Sequence, residues 1–221
     1  MPTSAEPAII YFVRHGESHS NTENRIQGHS DSGLSARGIR QASKLAKKLS
    51  RSGIQKIICS DLGRAKNTAK IVAGQIGKKI HLNSSLREIH LGDWEGLTTD
   101  EVDQAYARGY QRWLKSPTKM KIPGAETVPQ FHKRVRTVAE SLFDQHPGGP
   151  TLVVTHGGVI ASLLSYWLRA DFDYVLLNLR VDNTSVTVVE RNAFRHKIHC
   201  LNDVSHLSAK DLSRKNIFTE R

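Results

Sequence analysis

The chain has 221 residues, 38% of them hydrophobic and 24% charged, which suits a globular domain large enough to bury a core without disulfide or metal staples. Its 32 Lys+Arg against 21 Asp+Glu give a formal charge of +11, a balance that points to an anionic partner: nucleic acid, a membrane surface or phosphate. The excess is spread evenly, 16 basic against 11 acidic side chains in residues 1–110 and 16 against 10 in residues 111–221, with no polybasic run, which argues against a dedicated nucleic-acid arm.

Met1 to Ala8 has neither a basic nor an apolar leader region, so no secretory signal is expected. Ala8 to Val13 is an apolar run that predicts a buried strand. Ser35 to Ser52 has Ile39, Ala42, Leu45, Ala46 and Leu49 at helical spacing, with Ser35 as N-cap and Gly53 as stop. A strand at Ile54 to Cys59, a helix at Leu62 to Ile76 ended by Gly77, and a short strand at Lys79 to Leu82 follow. The middle reads as a helical lid insertion over residues 97–128, with helices at Thr98 to Arg108 and Tyr110 to Lys115 and an irregular stretch at Ser116 to Glu126. Thr98 and Glu101 have capping-box spacing. Thr127 to His146 predicts a long helix, Thr151 to Thr155 a strand feeding a helix at Gly157 to Leu168, and Thr184 to Glu190 and His196 to Leu201 two closing strands. The apolar stretch Thr151 to Leu168 contains His156 and two glycines and is too interrupted to span a membrane. Residues 208–221 read as a polar tail, expected to be disordered. Cys59 and Cys200 are too few for a disulfide framework; both are expected as buried free thiols, and a reducing, cytoplasmic location fits. The order describes one α/β domain over residues 1–221, a three-layer α/β/α sandwich with a mostly parallel central sheet.

In such sheets ligands bind beyond the carboxyl ends of the strands. Three predicted strand ends lead into unusual residues: Arg14-His15-Gly16-Glu17 after Val13, Ser60-Asp61-Leu62-Gly63-Arg64 after Cys59, and His156-Gly157-Gly158 after Thr155. A neutral imidazole at His15 can attack phosphorus, and flanking arginines disfavour its protonation. Guanidinium groups at Arg14 and Arg64 suit the equatorial oxygens of a transferring phosphoryl group. The first turn after Leu62 and the glycines at Gly157 and Gly158 offer helix N-termini that favour anions. A proton must reach the leaving oxygen, and one carboxyl can serve both as that acid and as the base that activates water; Glu17, Glu88 and Glu95 compete for the role on composition. No cofactor is called for, and His196 and His199 fall on opposite faces of a strand, so they are poor joint metal ligands.

The chain resembles the histidine phosphatase superfamily, the phosphoglycerate mutase-like family, in five ordered segments: RHGESHSNTENRIQG (Arg14 to Gly28), GLSARGIRQA (Gly33 to Ala42), CSDLGRAKNTA (Cys59 to Ala69), LREIHLGDWEG (Leu86 to Gly96) and VTHGGVI (Val154 to Ile160). The segment REIHLGDWEG and the later NTSVTVVE and NDVSHL are similar to its small broad-specificity phosphatase branch. The resemblance implies a phosphohistidine on His15 and an acid–base role for Glu88. It also implies phosphate contacts from Arg14, Asn21, Arg64, His156 and Gly157, without metal. It implies a phosphomonoesterase acting on small phosphorylated metabolites; the lack of a basic cluster and of an aromatic stacking platform argues against a nucleic-acid partner, no membrane partner is expected, and the oligomeric state, monomer or homodimer, stays open. Two other readings stay open: phosphoglycerate mutase-type transfer, disfavoured by Ile89-His90-Leu91-Gly92 after Glu88, and a catalytically vestigial basic protein that binds anionic partners. Arg108, Arg112, Lys115, Lys119 and Lys121 in the lid could meet a second anionic group or form a solvated basic face. Tyr106, Tyr110 and Trp113 could line an apolar pocket or pack the lid.

Overall fold

The computed structural model describes residues 7–146 and 148–212. In chain order the elements are β1 (Ala8–Arg14), α1 (His19–Thr22), α2 (Ala36–Leu49), β2 (Lys56–Cys59), α3 (Gly63–Ile76), β3 (Ile80–Leu82), α4 (Thr99–Ala105), α5 (Gly109–Trp113), α6 (Val128–Asp144), β4 (Thr151–Thr155), α7 (Gly157–Leu168), α8 (Phe172–Asn178), β5 (Val186–Arg191) and β6 (His196–Asp203). The six strands form one sheet in the order β3-β2-β4-β1-β5-β6. β3, β2, β4 and β1 run parallel, and β5 and β6 close the sheet antiparallel.

Both faces of the centre are covered, which is why β4 is buried at all five positions and carries the consecutive apolar residues Leu152, Val153 and Val154. Side chains alternate between the two cores. Val13, Ile57, Cys59, Leu152 and Val154 pack with α2 and α3 on one side. Ile10, Phe12, Ile58 and Val153 pack with α6, α7 and α8 on the other. The three central strands β2, β4 and β1 therefore end side by side, and their carboxyl ends form one rim of the sheet.

Local signals set most boundaries. Ser35 accepts from the Gly38 N–H and caps α2, and Thr98 and Thr127 form capping boxes with Glu101 and Gln130. Gly77 takes the left-handed conformation that ends α3. Several expectations need correction. The helix from Ser35 stops at Leu49, short of Gly53, and Ile39 is half exposed; the inward position belongs to Gln41. The helix expected over Thr98 to Arg108 ends at Ala105 because Ala107 and Arg108 adopt positive φ. The strand expected from Thr184 starts at Val186, because Thr184 has φ 58° and bonds back to β1. Two short helices, α1 and α8, were not expected. Cys200 is only partly buried. Residues 208–212 fold back on α2, where Asp211 is buried and paired with Lys44. The rest of the expected tail, 213–221, lies outside the described residues.

The segment 97–128 is anchored rather than loose. Trp113 and Tyr106 pack on Trp94, and Tyr110 and Trp113 are buried, so the three aromatics serve packing. Asp173 at the start of α8 receives Ser116 Oγ and Thr118 N and Oγ1, each within 2.7–2.9 Å. Arg108, Arg112, Lys115, Lys119 and Lys121 remain exposed.

Candidate active site

The rim formed by β1, β2 and β4 brings Arg14, His15, Arg64, His156 and Gly157 together with Glu88, whereas Asn21 makes no hydrogen bond to them among the described residues. His15 follows β1 and is 3% exposed; its backbone N–H donates to the Thr155 carbonyl at the end of β4. Ser60 follows β2 and donates its backbone N–H to Val154. His156 follows β4, fully buried, with its ring centroid 5.2 Å from that of His15.

His15 Nδ1 lies 2.7 Å from the Gly16 carbonyl, which accepts only, so the ring proton sits on Nδ1 and the Nε2 lone pair is free. Burial, then the charges of Arg64 and Arg14, hold the His15 imidazole well below the ordinary histidine range. It is therefore neutral, as a nucleophile must be. Burial also depresses His156, with Arg64 and His15 adding to the effect. His156 Nε2 is 2.8 Å from Ser60 Oγ. A hydroxyl donating there leaves the proton on Nδ1, a buried nitrogen with no partner among the described residues.

The two arginines are held in the same manner. Arg14 donates to the Val181 carbonyl at 2.5 Å, and Arg64, 1% exposed, donates to the Ser30 and Gly28 carbonyls at 2.8 and 2.7 Å. Both leave a buried Nε with no partner among the described residues. Burial lowers Arg64 to about 10, which leaves it charged at neutral pH. Gly157 lies beside Arg14: a Cβ there would come within 3.6 Å of the Arg14 Nε.

Both helix N-termini differ from expectation. At α3, the Gly63 and Arg64 N–H groups are capped by Asp31, so the anion at that terminus is the protein's own carboxylate. At α7, the Gly158 N–H donates to Glu88 Oε2 at 3.0 Å. A Cβ on Gly158 would stand 2.3 Å from Glu88 Oε1, so only glycine lets Glu88 approach. Glu88 is further positioned through its carbonyl, which accepts from His29 Nε2 at 2.9 Å and Arg134 at 3.2 Å.

The rival carboxylates have other partners. Glu17 receives Ser35 Oγ and Arg37, and Glu95 receives the backbone N–H groups of His29, Ser30 and Leu91. Asn21 Oδ1 caps α1 by accepting from the Ser18 N–H at 3.1 Å, a local cap that leaves its Nδ2 donor uncommitted among the described residues. His196 stacks on Trp167 while His199 pairs with Glu190, which keeps the two apart. Cys59, at the end of β2, is pushed up to about 12 by burial and stays a thiol.

Sequence reasoning missed Ser60, Arg134, Thr155 and Asn183. Thr155 Oγ1 donates to Leu86, tying the Glu88 loop to β4, and Asn183 donates to the His15 carbonyl. Ser60, Thr155 and Asn183 lay inside the CSDLGRAKNTA, VTHGGVI and NTSVTVVE segments, whereas Arg134 left no local signal.

Two neutral buried histidines make stability depend on pH. In the unfolded chain each titrates near 6.5; in the fold both titrate well below that. Their contribution is therefore complete above about pH 7 and is lost as pH falls from 6.5 toward the depressed folded values. The slope contributed approaches about 2.7 kcal/mol per pH unit for two protons. Urea unfolding at pH 7.5, 6.5 and 5.5 measures it; a flat profile would mean that these rings take up protons without unfolding.

Comparison with known proteins identifies the family and the fold. The family model described as histidine phosphatase superfamily (branch 1) matches residues 10–204. Phosphoglycerate mutase-like protein 4 of Arabidopsis thaliana is 38% identical over 204 residues, covering 90% of this chain and 87% of the relative. Among solved structures, YhfR of Bacillus stearothermophilus has a TM-score of 0.86 at 34% identity, covering 90% of this chain and 98% of that one. A mycobacterial glucosyl-3-phosphoglycerate phosphatase in complex with VO3 has a TM-score of 0.79 at 30% identity, covering 88% and 98%. No helix among the described residues is long and apolar enough to cross a membrane. With the family model matched over residues 10–204 and the rim residues gathered at one sheet edge, the chain belongs to the histidine phosphatase superfamily.

Proposed function

We propose that the protein is a metal-independent phosphomonoesterase that hydrolyses small phosphorylated metabolites through a phosphohistidine on His15. One observation carries the reading. Three buried donors, Arg14 Nε, Arg64 Nε and His156 Nδ1, have no partner among the described residues; the two guanidinium charges act on the neutral His15 ring, and the His156 ring lies 5.2 Å from it. Buried donors of this kind are costly unless an acceptor meets them, and a phosphoryl group supplies three oxygens.

In the first step the His15 Nε2 lone pair attacks phosphorus while the bond to the ester oxygen breaks. Glu88 gives its proton to that oxygen, and the alcohol leaves. In the second step the Glu88 carboxylate takes a proton from water, the water oxygen attacks phosphorus, and the electron pair of the N–P bond returns to Nε2. Ester and water become alcohol and inorganic phosphate, and enzyme and Glu88 return to their starting states. The arginines and His156 stabilise the charge on the equatorial oxygens, with Asn21 and the backbone at Gly157 completing the contact set.

A substrate bearing a second anionic group, as in a phosphoglycerate or sugar bisphosphate, fits the basic side chains of segment 97–128, and the likeness to a glucosyl-3-phosphoglycerate phosphatase supports the same class. The test is hydrolysis of a series of aryl phosphates in the presence of a chelator. Wild type should turn over the whole series. Glu88→Gln should slow esters with poor leaving groups at least tenfold more than p-nitrophenyl phosphate. Equal slowing across the series would move the acid role to another group. A second reading, transfer between hydroxyls of phosphoglycerate, is favoured by the name of the Arabidopsis relative. Interconversion of 3- and 2-phosphoglycerate, followed by phosphorus NMR, decides between them.

A further inference from the structure

The loop that follows β1 is held against α2 by contacts that lead on to the C-terminal segment. Gly16 and Glu17 lie directly on α2: a Cβ on Gly38 would stand 2.0 Å from the Glu17 carbonyl oxygen. Beside this contact sits Gln41, fully buried on a helix face otherwise lined by Ala42, Leu45 and Ala46. A buried primary amide must satisfy both its ends, and Gln41 does so with two distant partners. Its Oε1 accepts the Glu17 N–H at 2.8 Å, and its Nε2 donates to the Asp211 carbonyl at 2.7 Å. One amide thus joins the His15 loop to residues 208–212.

That segment is itself fastened to α2. Asp211 accepts from Lys44 Nζ and from Ser208 Oγ, each at 2.5 Å, and these bonds hold its carboxyl well below the usual carboxylate range. A few residues earlier, His206 Nε2 lies 3.2 Å from Thr184 Oγ1, and Thr184 donates its N–H to the Arg14 carbonyl at 3.0 Å. The segment 206–211 therefore reaches the same short stretch, Arg14 to Glu17, by two routes, one through Thr184 and one through Gln41.

We propose that residues 204–212 form a strap that fixes the attack position of His15, and that Gln41 is the positioning residue through which the strap acts. The proposal rests on the phosphohistidine reading above. The guanidinium groups have supports of their own, Arg64 on the Ser30 and Gly28 carbonyls and Arg14 on the Val181 carbonyl, and only the Arg14 backbone lies on the strap's route. Loosening the strap should therefore slow the attack on phosphorus while leaving phosphate binding in place, because rate is far more sensitive than affinity to small misplacement of a nucleophile.

Two variants test this. Gln41→Met keeps the volume of the side chain and removes both hydrogen bonds. Asp211→Ala unfastens the strap at a position outside the main core. Both are assayed with p-nitrophenyl phosphate, with rapid acid quench to measure the rate of phosphohistidine formation, and with hydrogen exchange across residues 14–18. For Gln41→Met, kcat and the phosphorylation rate are expected to fall about tenfold with KM within about twofold, and exchange at residues 15–17 to rise. Asp211→Ala should show the same pattern, smaller in size. Wild-type kcat in both variants, or a fall in kcat without faster exchange in the loop, would overturn the strap. Should Gln41→Met not fold, Asp211→Ala alone decides. Wild type is quenched in parallel: absence of phosphohistidine there would sink the phosphatase reading itself, whereas normal labelling of wild type with unaltered variants sinks only the strap.

Discussion

Replacing His15 with alanine is expected to lower kcat/KM by a factor on the order of 10⁴ or more, the usual consequence of removing a covalent nucleophile. No neighbouring group can take over. His156 Nε2 is engaged with Ser60, and its Nδ1 carries the proton in that arrangement. Cys59 is a buried thiol. Acid-labile phosphate should be trapped on wild type during turnover and be absent from His15→Ala. Retention of turnover above about 1% of wild type would mean that water is activated for direct attack, which would assign a different mechanism to the same donors. The substitution should leave the fold intact, since among the described residues the ring makes one hydrogen bond, to the Gly16 carbonyl, whose loss costs about 1–3 kcal/mol.

The second large effect belongs to Arg64. Arg64→Lys retains a positive charge, yet an ammonium group on a flexible stem cannot reach the Ser30 and Gly28 carbonyls and a phosphate oxygen at once, as the planar fork does. The expected loss in kcat/KM is on the order of 10² to 10³, or about 3–4 kcal/mol of transition-state stabilisation. Inhibition by vanadate should weaken by a comparable factor, because the same donors meet the trigonal-bipyramidal geometry. A loss below about threefold would show that the charge suffices and the fork does not matter. Thermal unfolding checks that the comparison is made between folded proteins.

The positions of the candidate site residues were readable from sequence where they follow a strand end. Val13, Cys59 and Thr155 each close a run of strand residues, and a short unbroken apolar run that meets polar residues or glycine locates such ends to within a residue. Helix caps were equally visible at Ser35, Thr98 and Thr127, because a capping hydroxyl acts on its own neighbours. The supporting contacts were not visible, and the reason is their reach in the chain. Gln41 joins Glu17 to Asp211, 24 and 170 residues away. Thr155 reaches Leu86 across 69 residues. No periodicity records such pairs. The same blindness explains why Ile39, apolar and well placed by spacing, was expected inside while the polar Gln41 took the inward position. It explains too why residues 208–212, polar in composition, were expected to be loose although a single buried aspartate fastens them. The anion-seeking N-terminus of α3 misled for a related cause: composition shows that a helix end favours a carboxylate without showing that Asp31 already supplies it.

The arginines of the rim are held by carbonyl groups more than by counter-charges, and this bears on the life of the folded protein as well as on rate. Backbone dipoles orient a guanidinium without cancelling it, so folding carries two buried cations whose desolvation is only partly offset. A phosphate ester that binds them acts on the folding equilibrium by mass action, adding about 2.7 kcal/mol when its concentration is 100 times its dissociation constant. The substrate of such a protein is then also its folding ligand. A cell rich in the metabolite would hold more of the enzyme intact against proteolysis, and a cell depleted of it would hold less, without any change in synthesis.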